Sequence, residues 1–186
     1  GSPATGIAAR YVPGLVVTGN TVTGLARGIS LEGFFGGPNR VLAGQGKTAK
    51  VSDNVVSNSS DVGIVLKSAQ SAVLSGNTVS GSSTGVVATD ICTETSITDT
   101  KLTGNEEGIR LSGASGITLK NVVAQANGSG IRLIGAQGVT IQQASVTGSK
   151  TVGLAITGDC TKTMVIGGAF GGATGISLTA ARNLSL

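Results

Sequence analysis

Apolar residues in this chain arrive in short alternating bursts. In Gly108-Ile109-Arg110-Leu111 and again in Gly116-Ile117-Thr118-Leu119 every second side chain is aliphatic. That two-residue period predicts strands with one buried face and excludes amphipathic helices. The same bursts return 22 residues later as Gly130-Ile131-Arg132-Leu133 and Gly138-Val139-Thr140-Ile141, and eight of the twelve positions from Gly108 to Leu119 recur identically. Followed along the chain, a glycine opens each unit at Gly6, Gly28, Gly63, Gly85, Gly108, Gly130, Gly153 and Gly175. The spacing is 22 or 23 residues at every step but one, the step of 35 from Gly28 to Gly63.

A unit of that length with two or three short strands cannot bury its own apolar side. Stacked on copies of itself it can, and the result is a solenoid with parallel sheets along its sides. The expected fold is therefore all-β: a single parallel β-helix of about seven and a half coils over residues 3–186, roughly 35 Å long at ~4.8 Å per coil. Ile29, Leu31, Ile64, Leu66, Ile109, Leu111, Ile131, Leu133, Leu154 and Ile156 read as inward. Gly1-Ser2 reads as a cloning scar.

The irregular interval places an insertion at about residues 32–48, rich in glycine and holding Phe34, Phe35, Asn39 and Arg40. A solenoid needs no insertion for stability, so this loop is a candidate binding loop or subunit contact, with a plain surface bulge as the alternative. Gly44-Gln45-Gly46-Lys47-Thr48 has a superficial likeness to a phosphate loop, but neither the full spacing nor a following helix is present. Asn20 and Asn77 occupy equivalent slots and Asn54 shares their Asn-x-Val context, which predicts a ladder of stacked amides. Val122 and Ala144 replace it in later coils.

Outward positions between the inward pair read Ala8, Ser30, Val65, Val87, Arg110, Arg132, Ala155 and Ser177. Neighbouring outward valines, with Ile134 nearby, suggest subunits packed side by side, or simply the β-propensity of valine. Arg110 and Arg132 fall on adjacent coils about 4.8 Å apart. Two like charges so close call for a carboxylated or phosphorylated sugar, an aligned carboxylate, or solvent.

Composition narrows the function. Thirty-one glycines with three Phe, one Tyr, no Trp and no His suit tight coils and supply no stacking platform for bases, so nucleic acid is not an expected partner. No apolar run reaches the ~20 residues of a spanning helix. Net charge is +4, with the basic residues scattered. Cys92 and Cys160 each fall seven residues after their glycine but three coils apart, about 14 Å by stacking, so both are expected as free thiols. No cofactor and no metal site are expected. Candidate acid pairs, Asp61 with Glu106 and Asp90 with Glu94, read more simply as solvated turns, and no catalytic residue is assigned.

The Gly-Ile-x-Leu strand, the Asn-x-Val turn and the period of 22–23 residues resemble the right-handed parallel β-helix of the pectate-lyase-like superfamily, over essentially the whole chain. The glycine-rich, His-free style is most similar to bacteriophage tailspike and tail-fibre β-helices. That resemblance implies a homotrimer on a virion tail or outside the cell, binding bacterial surface polysaccharide. Its other members imply polysaccharide lyase or hydrolase activity, and a surface adhesin is a third reading. Lyases of the superfamily use clustered carboxylates for calcium, and no coil here carries such a cluster at strand spacing. The expectation is a non-catalytic, or not independently catalytic, part of such a protein that supplies shaft stability, trimer contacts and polysaccharide binding, with Phe34, Phe35, Asn39, Arg40, Arg110 and Arg132 as ligand contacts. The alternative enzyme would have its site between subunits.

Overall fold

The computed structural model describes residues 4–12, 14–34, 48–90 and 92–186, with Phe34 described in its backbone alone. Within them the chain winds as a parallel β-solenoid of stacked turns, and the described residues contain no helix. One sheet is built from Thr5–Arg10, Arg27–Phe34, Val62–Ala69, Thr84–Thr89, Glu107–Ser112 and Ser129–Ile134, and it continues into the ends of two long strands, Thr140–Thr157 and Met164–Thr179. Each strand pairs in parallel with the one a turn away. Two further sheets run beside it, one through Val16–Thr18, Lys50–Ser52 and Val73–Ser75, the other through Thr21–Thr23, Val55–Ser57 and Thr78–Ser80. In the later turns the corners straighten enough for Thr140–Thr157 to run through all three sheets as one bent strand.

The register is the one the repeat implies. Ile109 lies against Ile131, Arg110 against Arg132 and Leu111 against Leu133. All ten aliphatic residues read as inward are fully buried. At ~1.5–3 kcal/mol for each aliphatic side chain taken from water, this continuous column supplies the driving force for stacking.

The opening glycines are required by close approach of one turn to the next. A Cβ on Gly85 would stand 2.6 Å from the carbonyl oxygen of Gly108, and one on Gly63 would stand 2.7 Å from that of Gly85. Valines from the neighbouring sheet fill the remaining space: the Cβ of a substituted Gly28 or Gly63 would overlap Val56 or Val79.

The asparagine ladder forms as expected. The Asn54 side-chain oxygen accepts from the backbone and the amide of Asn20, and Asn77 does the same for Asn54, each at 3.0–3.1 Å. Thr100, Val122 and Ala144 continue that column, all buried. A second ladder was not anticipated. It stands at the next corner and climbs through Ser59, Ser82, Asn105 and Asn127; Ser149 follows in the column, buried, with its hydroxyl unpaired. Its shared logic is that one turn's side-chain oxygen accepts the backbone N–H of the turn before, where a corner leaves that donor without a sheet partner.

Three local details complete the picture. Glu32, Gly33 and Phe34 belong to a strand, with Phe34 opposite Ala69, and not to the expected insertion. Between Met164 and Ile166, two alignments fit the sequence; the structure places Val165 inward against Ile141 and turns Met164 and Ile166 to solvent. Cys92 and Cys160 are free and buried. At the last turn Ile176 and Leu178 are 39% and 46% exposed, whereas Leu154 and Ile156, the same positions one turn earlier, are fully covered.

Candidate functional site

The outer face of the first sheet carries the site. Arg110 and Arg132 sit side by side on adjacent turns, as the repeat requires. Between them stands Glu107, which the sequence reading left without a role. One carboxylate oxygen accepts from Arg110 Nε at 2.5 Å, and the other accepts from Arg132 Nη1 across the turn. Glu107 thus answers the repulsion between the two arginines by straddling them.

Its position explains why it was missed. Strict alternation puts Glu107 and Arg110, three apart, on opposite faces of a strand. Gly108 breaks that alternation, because its tight seating against the next turn takes it out of the pairing sequence. The residue before each opening glycine then shares the outer face with the residue two after that glycine, as Glu107 does with Arg110. The column before the glycine, Arg27, Val62, Thr84, Glu107, Ser129 and Val152, was the signal that could have found it.

Glu107 is nearly buried, its side chain 10% exposed. Burial pushes its carboxyl up, but hydrogen bonds from Arg110 and Arg132, reinforced by their charges, outweigh that and hold it below the ordinary value of 4.5. It is therefore a carboxylate at neutral pH. The arginine side chains remain 41% and 37% exposed. Two oriented guanidiniums against one carboxylate leave a surplus positive charge facing solvent. Each fork has further N–H donors beyond those Glu107 takes.

The other candidates fall as follows. Phe35, Asn39 and Arg40 lie outside the described residues, as does the side chain of Phe34. Asp61 and Glu106 share one corner with Ser83 between them, two turns apart as expected. Asp61 is ion-paired with Arg27 at 3.1 Å, and Glu106 accepts the Ser83 hydroxyl at 3.0 Å. Glu94 accepts the Ser71 hydroxyl. Among the described residues no three carboxylates, thiols or imidazoles gather. The outward valines are also accounted for. Val62, Val65 and Val87 form a small apolar cluster, each only 8% exposed within a single chain. Their cover needs no second subunit, so they carry no argument for one.

A family model described as a right-handed beta helix region matches residues 34–170. The chain belongs to this right-handed β-helix family. Its fold is similar to that of solved structures of the periplasmic alginate epimerase AlgG: the enzyme itself (TM-score 0.78, 13% identity), its T265N mutant (0.79, 14%) and its T265N T268M double mutant (0.80, 13%). These alignments cover 97–98% of this chain and 47–48% of theirs, so this β-helix spans less than half the length of those proteins. At such identity the likeness is one of fold. The sequence matches none of the curated proteins.

Proposed function

We propose that this β-helix binds an acidic polysaccharide of the bacterial surface on the outer face of its first sheet and does not itself cleave it. Arg110 and Arg132 take the ligand's anionic group. One observation carries the reading: Glu107, locked between two turns, holds both guanidiniums in fixed orientation while leaving each more than a third exposed. Preorganised, half-solvated arginine forks are suited to a carboxylate or phosphate. Absence of histidine and the prior engagement of Asp61 and Glu106 argue for binding over acid–base chemistry. The similar fold of the alginate epimerase makes alginate, a carboxylated polymer, the first probe. The same face would serve in a tailspike-like fibre or in polysaccharide processing.

The test is calorimetric titration of the chain with alginate oligosaccharides and with a neutral glucan. Alginate should bind, weaken steeply with salt, and lose about tenfold in affinity in Arg110→Ala and in Arg132→Ala. Equal binding of the neutral glucan, or affinity indifferent to both substitutions, would sink the proposal. Release of unsaturated or reducing ends would show that the chain is an enzyme.

A further inference from the structure

A separate cleft of about 110 Å³ opens on the same outer face near the first turns, lined by Thr5, Ala8, Arg10, Arg27, Ser30 and Glu32, with Ala9 beneath. It lies three turns from Arg110, about 14 Å along the stack. Between the two stand the valines that solvent barely reaches, so the places are distinct.

Their electrostatics differ. The arginine pair around Glu107 keeps a surplus charge. In the cleft, Arg10 is bound to Glu32 at 2.9 Å and Arg27 to Asp61 at 3.1 Å, so each cation already has its anion. The walls nevertheless present both kinds of hydrogen-bonding group. Guanidinium N–H groups donate, the Glu32 carboxylate accepts, and the nearly buried Ser30 hydroxyl does either, donating only a long 3.5 Å bond to Glu32. A charge-balanced cleft of mixed donors and acceptors suits adjacent hydroxyls of a neutral ring, each of which donates and accepts at once. Its volume corresponds to about three or four waters, enough for one edge of a sugar and too little for a whole ring.

We infer that this cleft is a second carbohydrate subsite, which takes the hydroxyl edge of a neutral sugar. The inference rests on the polysaccharide-binding reading and assigns the acidic sugar to the arginine pair and an uncharged one to the cleft.

The isotopically labelled chain should be titrated with a panel of neutral hexoses and, separately, with inorganic phosphate, following backbone amides by NMR. At least one hexose should move the Ser30 and Glu32 signals, with the effect surviving about 0.5 M salt because no net charge drives it. Ser30→Val, a residue the same column already holds at Val65, should weaken that response about tenfold. Arg110→Ala should leave it unchanged, and this separates failure of the cleft from failure of the arginine site. If no hexose moves these amides, or if phosphate moves them more than any hexose, the inference is wrong.

Discussion

Removing one rung of the second ladder should cost more than its single side chain suggests. Asn127 is fully buried, and its side-chain oxygen accepts both the backbone N–H of Asn105 at 2.9 Å and its amide at 3.1 Å, while its own amide donates to the Leu102 carbonyl at 3.1 Å. In Asn127→Ala two donor hydrogens of Asn105 lose their acceptor in a site without ready access to water. At ~1–3 kcal/mol for each buried polar group left unpaired, with some relief because Asn105 keeps its bond to the Val79 carbonyl, the loss should be about 2–4 kcal/mol. The column supplies its own control. Ser82 occupies the same slot and its hydroxyl oxygen accepts the Ser59 N–H at 3.3 Å, so Asn127→Ser should keep one acceptor and cost about half as much. Urea unfolding gives the totals. Hydrogen exchange at the Asn105 amide gives the local effect, which matters because a solenoid can open turn by turn. An alanine variant within about 0.5 kcal/mol of wild type, or a serine variant no better than alanine, would refute the claim that these corner donors depend on the ladder.

Other outcomes follow from the same geometry. Gly108→Ala puts a Cβ 2.5 Å from the Gly130 carbonyl oxygen, a backbone atom that cannot step aside, and should cost about 2 kcal/mol or more by thermal melt. Glu107 has a folded pKa below its ordinary value, so the stability it contributes is present above 4.5 and disappears as pH falls through the lower folded value. Between about pH 6 and about pH 3, wild type should lose about 1 kcal/mol more than Glu107→Gln, a modest figure because both arginines are well exposed and screened. Cys92 is buried, and that burial pushes its thiol up, so a thiol reagent should leave it unreacted in the native chain and modify it in urea.

Most of the architecture was legible because a repeat writes its register directly into the chain. Once Gly108 is aligned with Gly130, Ile109, Leu111 and their counterparts must stack, and they do. The first ladder was legible for the same reason, since Asn20 and Asn77 share a slot. The second escaped because its column mixes serine with asparagine, and what it conserves is an acceptor oxygen and not a residue type. Glu107 escaped because alternation was carried unbroken through a glycine that interrupts it. The outward valines pointed to a partner only while their cover was unknown; in the folded chain it is internal. Of the six proposed ligand contacts, the structure describes the side chains of Arg110 and Arg132, and it joins these two through an acid no sequence motif marks.

Because Gly108 and Gly130 open interchangeable turns, the molecule is editable in whole units. Excising residues 108–129 would set Glu107 directly before Gly130, so Arg132 would inherit the place of Arg110 and the carboxylate would keep one guanidinium where it now keeps two. A shortened solenoid of this kind would retain its interior and its joints while giving up the doubled charge, and so would ask of the protein, with a single cut, how much of its grip on an anion depends on repetition.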